Sequence, residues 1–184
     1  MVNFITISAP SGSGKTTLCK ALQLVEPDIQ WSISYTTREK RDIEEDGVDY
    51  HFISSDKFED FIINGYFVEW ENVHGYYYGT SLISLNKAIY GNKMLLLEMD
   101  VKGSMNIKKL YPEKTFSIFI IPPSSDHLRD RLKNRGTDSA KRIEVRLKRF
   151  QEEMEFQNKF DYVMVNENLE SAKIELQNKV RKLK

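Results

Sequence analysis

The sequence predicts an α/β fold in which helices flank a parallel β-sheet. Continuous apolar runs of strand length recur along the chain, and such runs are typical of strands that are buried on both faces. Helical patterns separate most of these runs, and helical crossovers make the strands that they connect parallel. The runs lie at residues 3–8, 93–100, 115–121 and 161–166.

The composition is that of an ordinary globular domain. The chain has 184 residues, of which 40% are apolar and 29% charged, so one folded domain is expected. Its 27 basic and 27 acidic residues cancel, which argues against nucleic acid or an anionic membrane as a partner. No apolar run is long enough for a membrane span and the first residues do not resemble a signal peptide, so a cytoplasmic location is expected. The single cysteine, Cys19, is expected to be a buried helix residue.

The stretch APSGSGKTT (residues 9–17), here called the P-loop, follows the first predicted strand and opens a helix predicted over residues 16–25. Its glycines allow backbone N–H groups to surround a phosphate at a helix N-terminus. Lys15 is expected to reach the β- and γ-phosphates of ATP, and the Thr16 hydroxyl to bind Mg²⁺. Ala9 replaces the first glycine of the pattern, which is harmless where φ is negative. The expected ATP phosphate-binding residues are Ser11, Gly12, Ser13, Gly14, Lys15, Thr16 and Thr17.

Two stretches interrupt the alternation of strands and helices. Residues 34–78 mix polar and aromatic side chains, with short strand-like pieces and a helix near residues 57–64. Residues 124–156 are strongly charged and indicate two helices broken at NRGTDS. Both stretches follow predicted strands, at the edge where ligands of open α/β sheets bind.

Several motifs occur in a fixed order along the chain: SYTTREKRDIEEDGVDYHF, FVEWENVHGYYYGTS, LEMDVKG, RLKNRG and VNEN. Together with the P-loop they resemble the guanylate kinase family over nearly the whole chain. The resemblance implies a P-loop kinase core at residues 1–33, 79–123 and 157–184. It also implies a mixed α+β GMP-binding insertion at residues 34–78 and a helical lid at residues 124–156.

The resemblance assigns Arg38, Arg41, Tyr50 and Tyr78 to the phosphate of GMP. The chemistry fits, because a monophosphate carries close to two negative charges and suits guanidinium and phenol donors. Arg38 is also expected to contribute to catalysis. Glu44 matches a family acid at the edge of the same site.

The loop that carries these arginines departs from the family pattern. Lys40 and Ile43 stand where the family more often has proline and glycine. These changes are expected to loosen the turn between the two arginines while leaving the phosphate chemistry intact.

Base recognition is expected from four polar residues. Guanine carries N1–H and N2–H₂ donors on one edge, which call for a carboxylate, and an O6 acceptor, which calls for a hydroxyl or amide donor. By resemblance, Glu69 accepts from the donors, Ser34 and Thr80 lie near O6, and Asp100 lies beside the guanine. Because Asp100 also ends an apolar strand, a magnesium ligand is an alternative role for it.

The lid is rich in cations, with nine basic and three acidic residues between positions 129 and 149. By resemblance, Arg131, Arg135 and Arg146 close on the donor phosphates, where preorganised cations stabilise the transferring phosphoryl group. Arg142 and Arg149 are expected to belong to the solvated face of the lid.

The resemblance implies reversible, Mg²⁺-dependent transfer of the γ-phosphoryl group of ATP to GMP, with dGMP as a further acceptor. No general base is required, because the acceptor is already an ionised phosphate. The expected partners are therefore the nucleotides, and the oligomeric state stays open between monomer and homodimer. Near the last predicted strand, Asn166 and Asn168 match a family position around the adenine of ATP.

Two other functions are compatible with parts of the pattern. Guanylate-kinase-like domains of scaffold proteins bind phosphorylated peptides without catalysis, but they usually have a degraded P-loop, whereas Lys15 and Thr16 are present here. A P-loop kinase with another acceptor is the second alternative, and the combination of Glu69, Ser34 and Thr80 argues against it.

Overall fold

The protein is described from a computed structural model that covers residues 2–73, 75–134 and 139–184. The strands are β1 (Phe4–Ser8), β2 (Gln30–Trp31), β3 (Tyr35–Thr36), β4 (His51–Phe52), β5 (Phe67–Val73), β6 (Tyr76–Ser81), β7 (Leu95–Glu98), β8 (Thr115–Ile121) and β9 (Tyr162–Val165). The helices are α1 (Lys15–Val25), α2 (Ser55–Ile63), α3 (Leu82–Tyr90), α4 (Val101–Leu110), α5 (Ser125–Asn134), α6 (Ala140–Met154) and α7 (Leu169–Arg181).

The centre of the fold is a parallel sheet with the strand order β2-β7-β1-β8-β9. The apolar runs predicted as strands form β1, β7, β8 and β9, so the predicted fold class is confirmed. All residues of β1 are buried, as expected for a central strand with helices on both faces. The sequence did not reveal β2, because a strand of two residues has too little pattern to recognise.

Alternating side chains of β1 divide the core into two layers. Ile5 and Ile7 pack in the cluster that α1 and α7 complete, and Phe4 packs with residues of α3 and α4 on the other face. Cys19 of α1 is fully buried in the first cluster, which confirms the prediction. Burial raises the pKa of its thiol well above the ordinary value.

The insertion forms a second sheet, with the order β4-β3-β6-β5. Its core is aromatic rather than aliphatic: Phe58 of α2 stacks on Phe67 and on Tyr77 of the sheet. Rings that cover both faces of short strands leave little regular spacing of apolar residues, which explains the weak sequence pattern of this region. Strand β6 continues to Ser81, whose side chain caps α3, so the second sheet leads directly into a helix of the core.

The charged stretch folds into α5 and α6, which pack through Leu128, Leu132, Ile143 and Leu147. The prediction of two helices in this stretch is confirmed, and most of the predicted break between them lies outside the described residues. Within the described part of the chain, no helix combines the length and the apolar character that a membrane span requires.

Candidate active site

The P-loop connects β1 to α1 and turns through two glycines with positive φ, Gly12 at 97° and Gly14 at 90°. A side chain is strained in this left-handed region, so both positions favour glycine. Among the described residues, Asn92 is the only non-glycine residue with a positive φ. Ala9 therefore has a negative φ, and its replacement of the first glycine of the pattern costs nothing, as expected.

The first residues of α1 point their polar atoms at the end of β7. The Lys15 ammonium donates a hydrogen bond to the carbonyl oxygen of Met99 (3.0 Å), and the Thr16 hydroxyl donates to Glu98 Oε1 (2.6 Å). Glu98 Oε1 also lies 4.0 Å from Lys15 Nζ. Glu98 is a site residue that was not predicted, although it ends an apolar strand and thus shares the sequence signal of Asp100, two residues later.

A cavity of about 180 Å³, here called the acceptor cavity because residues predicted to recognise GMP line it, lies between the second sheet and the carboxyl end of β7. It brings together residues that are distant in the sequence, including most of those predicted to recognise GMP. Its lining is Lys15, Ser34, Tyr50, Glu69, Glu71, Val73, Tyr78, Gly79, Thr80, Glu98, Met99 and Asp100.

The central acid of this cavity, Glu69, is held by a neighbour on the next strand. The Thr80 hydroxyl donates to Glu69 Oε1 at 2.5 Å. Burial raises the pKa of Glu69 to about 7, the hydrogen bond from Thr80 partly opposes that rise, and the charge of Asp100 adds to it. Because a hydroxyl has one proton, Thr80 in this state orients the carboxylate and has no donor left for a second acceptor.

The raised pKa of Glu69 predicts a pH-dependent affinity for guanine. Below pH 7 the neutral carboxyl group must lose its proton before it accepts from N1–H and N2–H₂, so affinity for GMP should fall by up to about tenfold per pH unit. In the ligand-free protein, the free energy of unfolding should decrease as the pH rises from 4.5 to 7, because the unfolded chain ionises first.

Carboxyl ¹³C NMR of labelled glutamate would measure this titration, with a Glu69→Gln variant to assign the resonance. We expect a midpoint near pH 7 without ligand and a much lower one with GMP bound. A midpoint near 4.5 in the free protein would contradict the prediction. The variant also separates this titration from that of the GMP phosphate.

The expected phosphate-binding residues line a larger neighbouring cleft of about 670 Å³, which includes Arg38, Arg41, Tyr50 and Tyr78. Arg38 Nη2 donates to both carboxylate oxygens of Glu44, at 2.8 and 3.0 Å. Although burial opposes it, the hydrogen bond from Arg38 lowers the pKa of Glu44. Glu44 therefore contacts Arg38 directly and keeps its guanidinium at the edge of the cleft.

The two unusual residues of this loop have different surroundings. Lys40 donates to the backbone carbonyl of Glu44 at 2.9 Å, so its charge stays beside the arginines. Ile43 is 92% exposed and packs against little in this state. The loop turns without the proline and glycine of the family pattern because Glu44 also accepts from the backbone N–H of Arg41.

Two of the three predicted lid arginines contact the P-loop or the loop after β9. Arg146 Nη1 donates to the hydroxyl of Ser11 in the P-loop at 2.8 Å. Arg131 Nη2 donates to the carbonyl oxygen of Asn166 at 2.8 Å, beyond the end of β9, and thus contacts the backbone. Arg135 lies outside the described residues.

The loop after β9 is joined to the P-loop by a hydrogen bond. The buried Asn166 side chain donates through Nδ2 to the carbonyl oxygen of Ser13 at 2.7 Å. A Cβ atom at Gly14 would come within 2.5 Å of the same Nδ2, so the close approach depends on glycine. Asn168 caps α7 through its side chain. Asn166 thus has a structural contact with the P-loop that its sequence context does not indicate.

Two oxygen donors of the kind that suit Mg²⁺ meet where α1 begins and β7 ends. The hydroxyl of Thr16 and the carboxylate of Glu98 are in contact, and both are hard oxygen donors of the kind that Mg²⁺ prefers. Asp100 is differently engaged, because its Oδ1 accepts from the backbone N–H of Gly103 and caps α4. In the described part of the chain, no group of three His, Cys, Asp or Glu side chains forms a self-contained metal site. The Thr16 hydroxyl and the Glu98 carboxylate are the oxygen donors here whose chemistry fits a magnesium ion.

Comparison with known proteins identifies the family. The sequence profile described as guanylate kinase matches residues 1–183. The guanylate kinase of Syntrophotalea carbinolica is 45% identical over 166 residues, which cover 90% of this chain and 79% of the relative, and that of Chlorobium luteolum is 42% identical over 168 residues, which cover 91% and 85%. A crystal structure of guanylate kinase from Anaplasma phagocytophilum superimposes with a TM-score of 0.83 at 30% identity and covers 98% of this chain and 85% of that one. With a P-loop facing a carboxylate-lined acceptor cavity, and with these relatives over most of its length, the chain belongs to the guanylate kinase family.

Proposed function

We propose that the chain catalyses reversible transfer of the γ-phosphoryl group of ATP to GMP, as an ATP:GMP phosphotransferase. The observation that carries this proposal is the acceptor cavity, in which Glu69 lines one part and Lys15 of the P-loop lines another. A GMP whose base is bound at Glu69 would therefore lie in the same cavity as Lys15 of the P-loop. In-line transfer requires this relation between acceptor and donor.

The acceptor residues are proposed to act in two groups. Glu69 accepts from N1–H and N2–H₂ of guanine while Thr80 keeps the carboxylate oriented, and Ser34 is the hydroxyl that remains for O6. Arg38, Arg41, Tyr50 and Tyr78 bind the phosphate, with Glu44 positioning Arg38. None of these contacts involves the ribose 2′-hydroxyl, so dGMP is proposed as a second acceptor.

The donor residues are proposed to stabilise charge. Backbone N–H groups of residues 11–17 surround the β-phosphate, and Lys15 leaves the carbonyl of Met99 to contact the transferring group. Arg131, Arg135 and Arg146 approach the same oxygens when the lid closes and water is excluded. Thr16, with Glu98 beside it, would hold Mg²⁺, and the cation would supply positive charge against the negative charge that develops on the phosphates.

The division into core, GMP-binding insertion and lid is proposed to serve this closure. The insertion has its own sheet and aromatic core, and α5 and α6 have their own small apolar cluster, so each can move as a unit against the central sheet. The cytoplasmic location and the choice between monomer and homodimer stay predictions.

The proposal is tested by measuring ADP release with ATP and each of GMP, dGMP, AMP, CMP and UMP, with Mg²⁺ and with excess EDTA. We expect turnover with GMP and dGMP, a preference over AMP of about 10⁴-fold, and loss of turnover with EDTA. Turnover with a different monophosphate would keep the kinase and refute guanine recognition. The absence of ADP release with all five monophosphates would refute the proposed reaction.

A further inference from the structure

Arg149 lies on the lid helix α6, where it lines the cleft at the P-loop together with Asp100. Its Nε donates to Glu153 Oε1 at 2.9 Å, and its Nη2 lies 3.8 Å from Asp100 Oδ2. The side chain is 27% exposed. The sequence predicted a solvated arginine, and the prediction is wrong because the side chain turns inward between two acids.

Asp100 is a fixed point for this contact. Its Oδ1 accepts from the backbone N–H of Gly103 at 2.8 Å, so the carboxylate is tied to the first turn of α4. Its other oxygen is the one that faces Arg149. Asp100 lines the acceptor cavity, and together with Arg149 it also lines the cleft of about 280 Å³ above the P-loop. The same carboxylate thus borders the guanine position and meets the lid.

The spacing of residues along α6 places a second arginine of the same helix face at the P-loop. Residues 146, 149 and 153 are separated by three and four positions and therefore share one face of α6. One turn before Arg149, Arg146 bonds to Ser11 of the P-loop. When Arg149 contacts Asp100, Arg146 therefore lies at the P-loop, where the phosphates of ATP are proposed to bind.

The Glu153 carboxylate favours a cationic side chain at position 149. It is 8% exposed, and burial raises the pKa of its carboxyl group, an effect that the charge and hydrogen bond of Arg149 oppose. A buried carboxylate that loses its cation is strongly destabilised. Arg149 therefore balances the charge of Glu153 on its own helix. It also lies near Asp100, which lines the acceptor cavity.

We propose that Arg149 is a positioning residue that couples occupancy of the acceptor cavity to the placement of α6 over the P-loop. The proposal rests on the proposed function, since guanine is the group that fills the cavity. A bound base expels water from around Asp100, and the attraction between this carboxylate and Arg149 grows as the site dries. Bound GMP then favours the lid position in which Arg149 contacts Asp100. By reciprocity, that lid position increases the affinity for GMP.

The test is the effect of GMP on the affinity for a non-hydrolysable ATP analogue with Mg²⁺, measured by calorimetry with and without saturating GMP. In the wild-type protein we expect GMP to tighten analogue binding about fivefold or more. Arg149→Met keeps the aliphatic part of the side chain but removes its charge. This variant should abolish the coupling and lower kcat about tenfold. Its affinity for the analogue without GMP should stay within twofold of wild type. Arg149→Lys should restore part of the coupling. The control is Arg142→Ala, an exposed charge on the same helix, which should behave as wild type.

A merely structural role for Arg149 would weaken analogue binding equally with and without GMP, so an unchanged coupling ratio in Arg149→Met would overturn the proposal. Absence of coupling in a wild-type enzyme that phosphorylates GMP would also overturn it, without touching the proposed reaction. Should Arg149→Met not fold, Asp100→Asn removes the other half of the contact and should reduce the coupling similarly. In the Asp100→Asn background, Arg149→Lys should then have no further effect on the ratio, and a further loss would refute the pairing.

Discussion

Replacement of Lys15 by alanine is expected to lower kcat for GMP phosphorylation by about 10³-fold, because a cation aimed at the transferring phosphoryl group is lost. The fold should survive, since the Lys15 ammonium makes its hydrogen bond to a backbone carbonyl at the edge of a cleft rather than inside the core. Steady-state kinetics of ADP release, with circular dichroism as a check of folding, would measure both effects.

The matched control for this change is Lys87→Ala, which removes an exposed lysine from α3. It should leave kcat and both KM values unchanged. A Lys15→Ala protein that turns over within about threefold of wild type would remove this residue from the mechanism, and it would leave the lid arginines to supply the charge stabilisation.

The second large effect is expected for Glu69→Gln, which should lower kcat/KM for GMP by about 10³- to 10⁴-fold. Glutamine keeps the size of the side chain and an oxygen for the Thr80 hydroxyl, but it turns an N–H₂ donor toward the N–H donors of guanine. Two donors then face each other in a buried site, and neither is satisfied. The dissociation constant of MgATP should stay within about twofold.

Kinetics with varied GMP and direct titration of ATP separate these effects. Glu59→Gln, an exposed change on α2, controls for the loss of one negative charge. Equal losses for GMP and ATP would indicate a damaged fold rather than a lost base contact. Unimpaired GMP kinetics would show that the base is read elsewhere in the cavity.

The sequence predicted those parts of the protein that local patterns specify. The apolar run of β1 and the glycines of the P-loop are adjacent in the chain, and their physical role is visible within about twenty residues. The family motifs added the residues of the acceptor cavity, and the structure brings Ser34, Glu69 and Thr80 to one lining.

What the sequence could not predict depends on contacts between distant segments. Nothing near Arg149 indicates that it turns toward Asp100 rather than toward water, because the outcome depends on how α6 packs against α4. Glu98 and Asp100 both follow the same apolar run, and only the fold shows that Glu98 is the one that contacts Thr16, 82 residues away. The donation from Thr80 to Glu69 likewise requires the register of β5 against β6.

The bond between Asn166 and Ser13 has a consequence for the order in which the protein becomes functional during synthesis. It joins residues 153 positions apart, and the Arg131 guanidinium adds a contact to the same loop. A growing polypeptide that still lacks β9 has the entire P-loop sequence but not the support beneath it. Because contacts of such long range form late, nucleotide binding by the nascent chain should begin only when the last strand has left the ribosome. The P-loop, which is synthesised before β9, therefore gains this hydrogen bond only after β9 has been made.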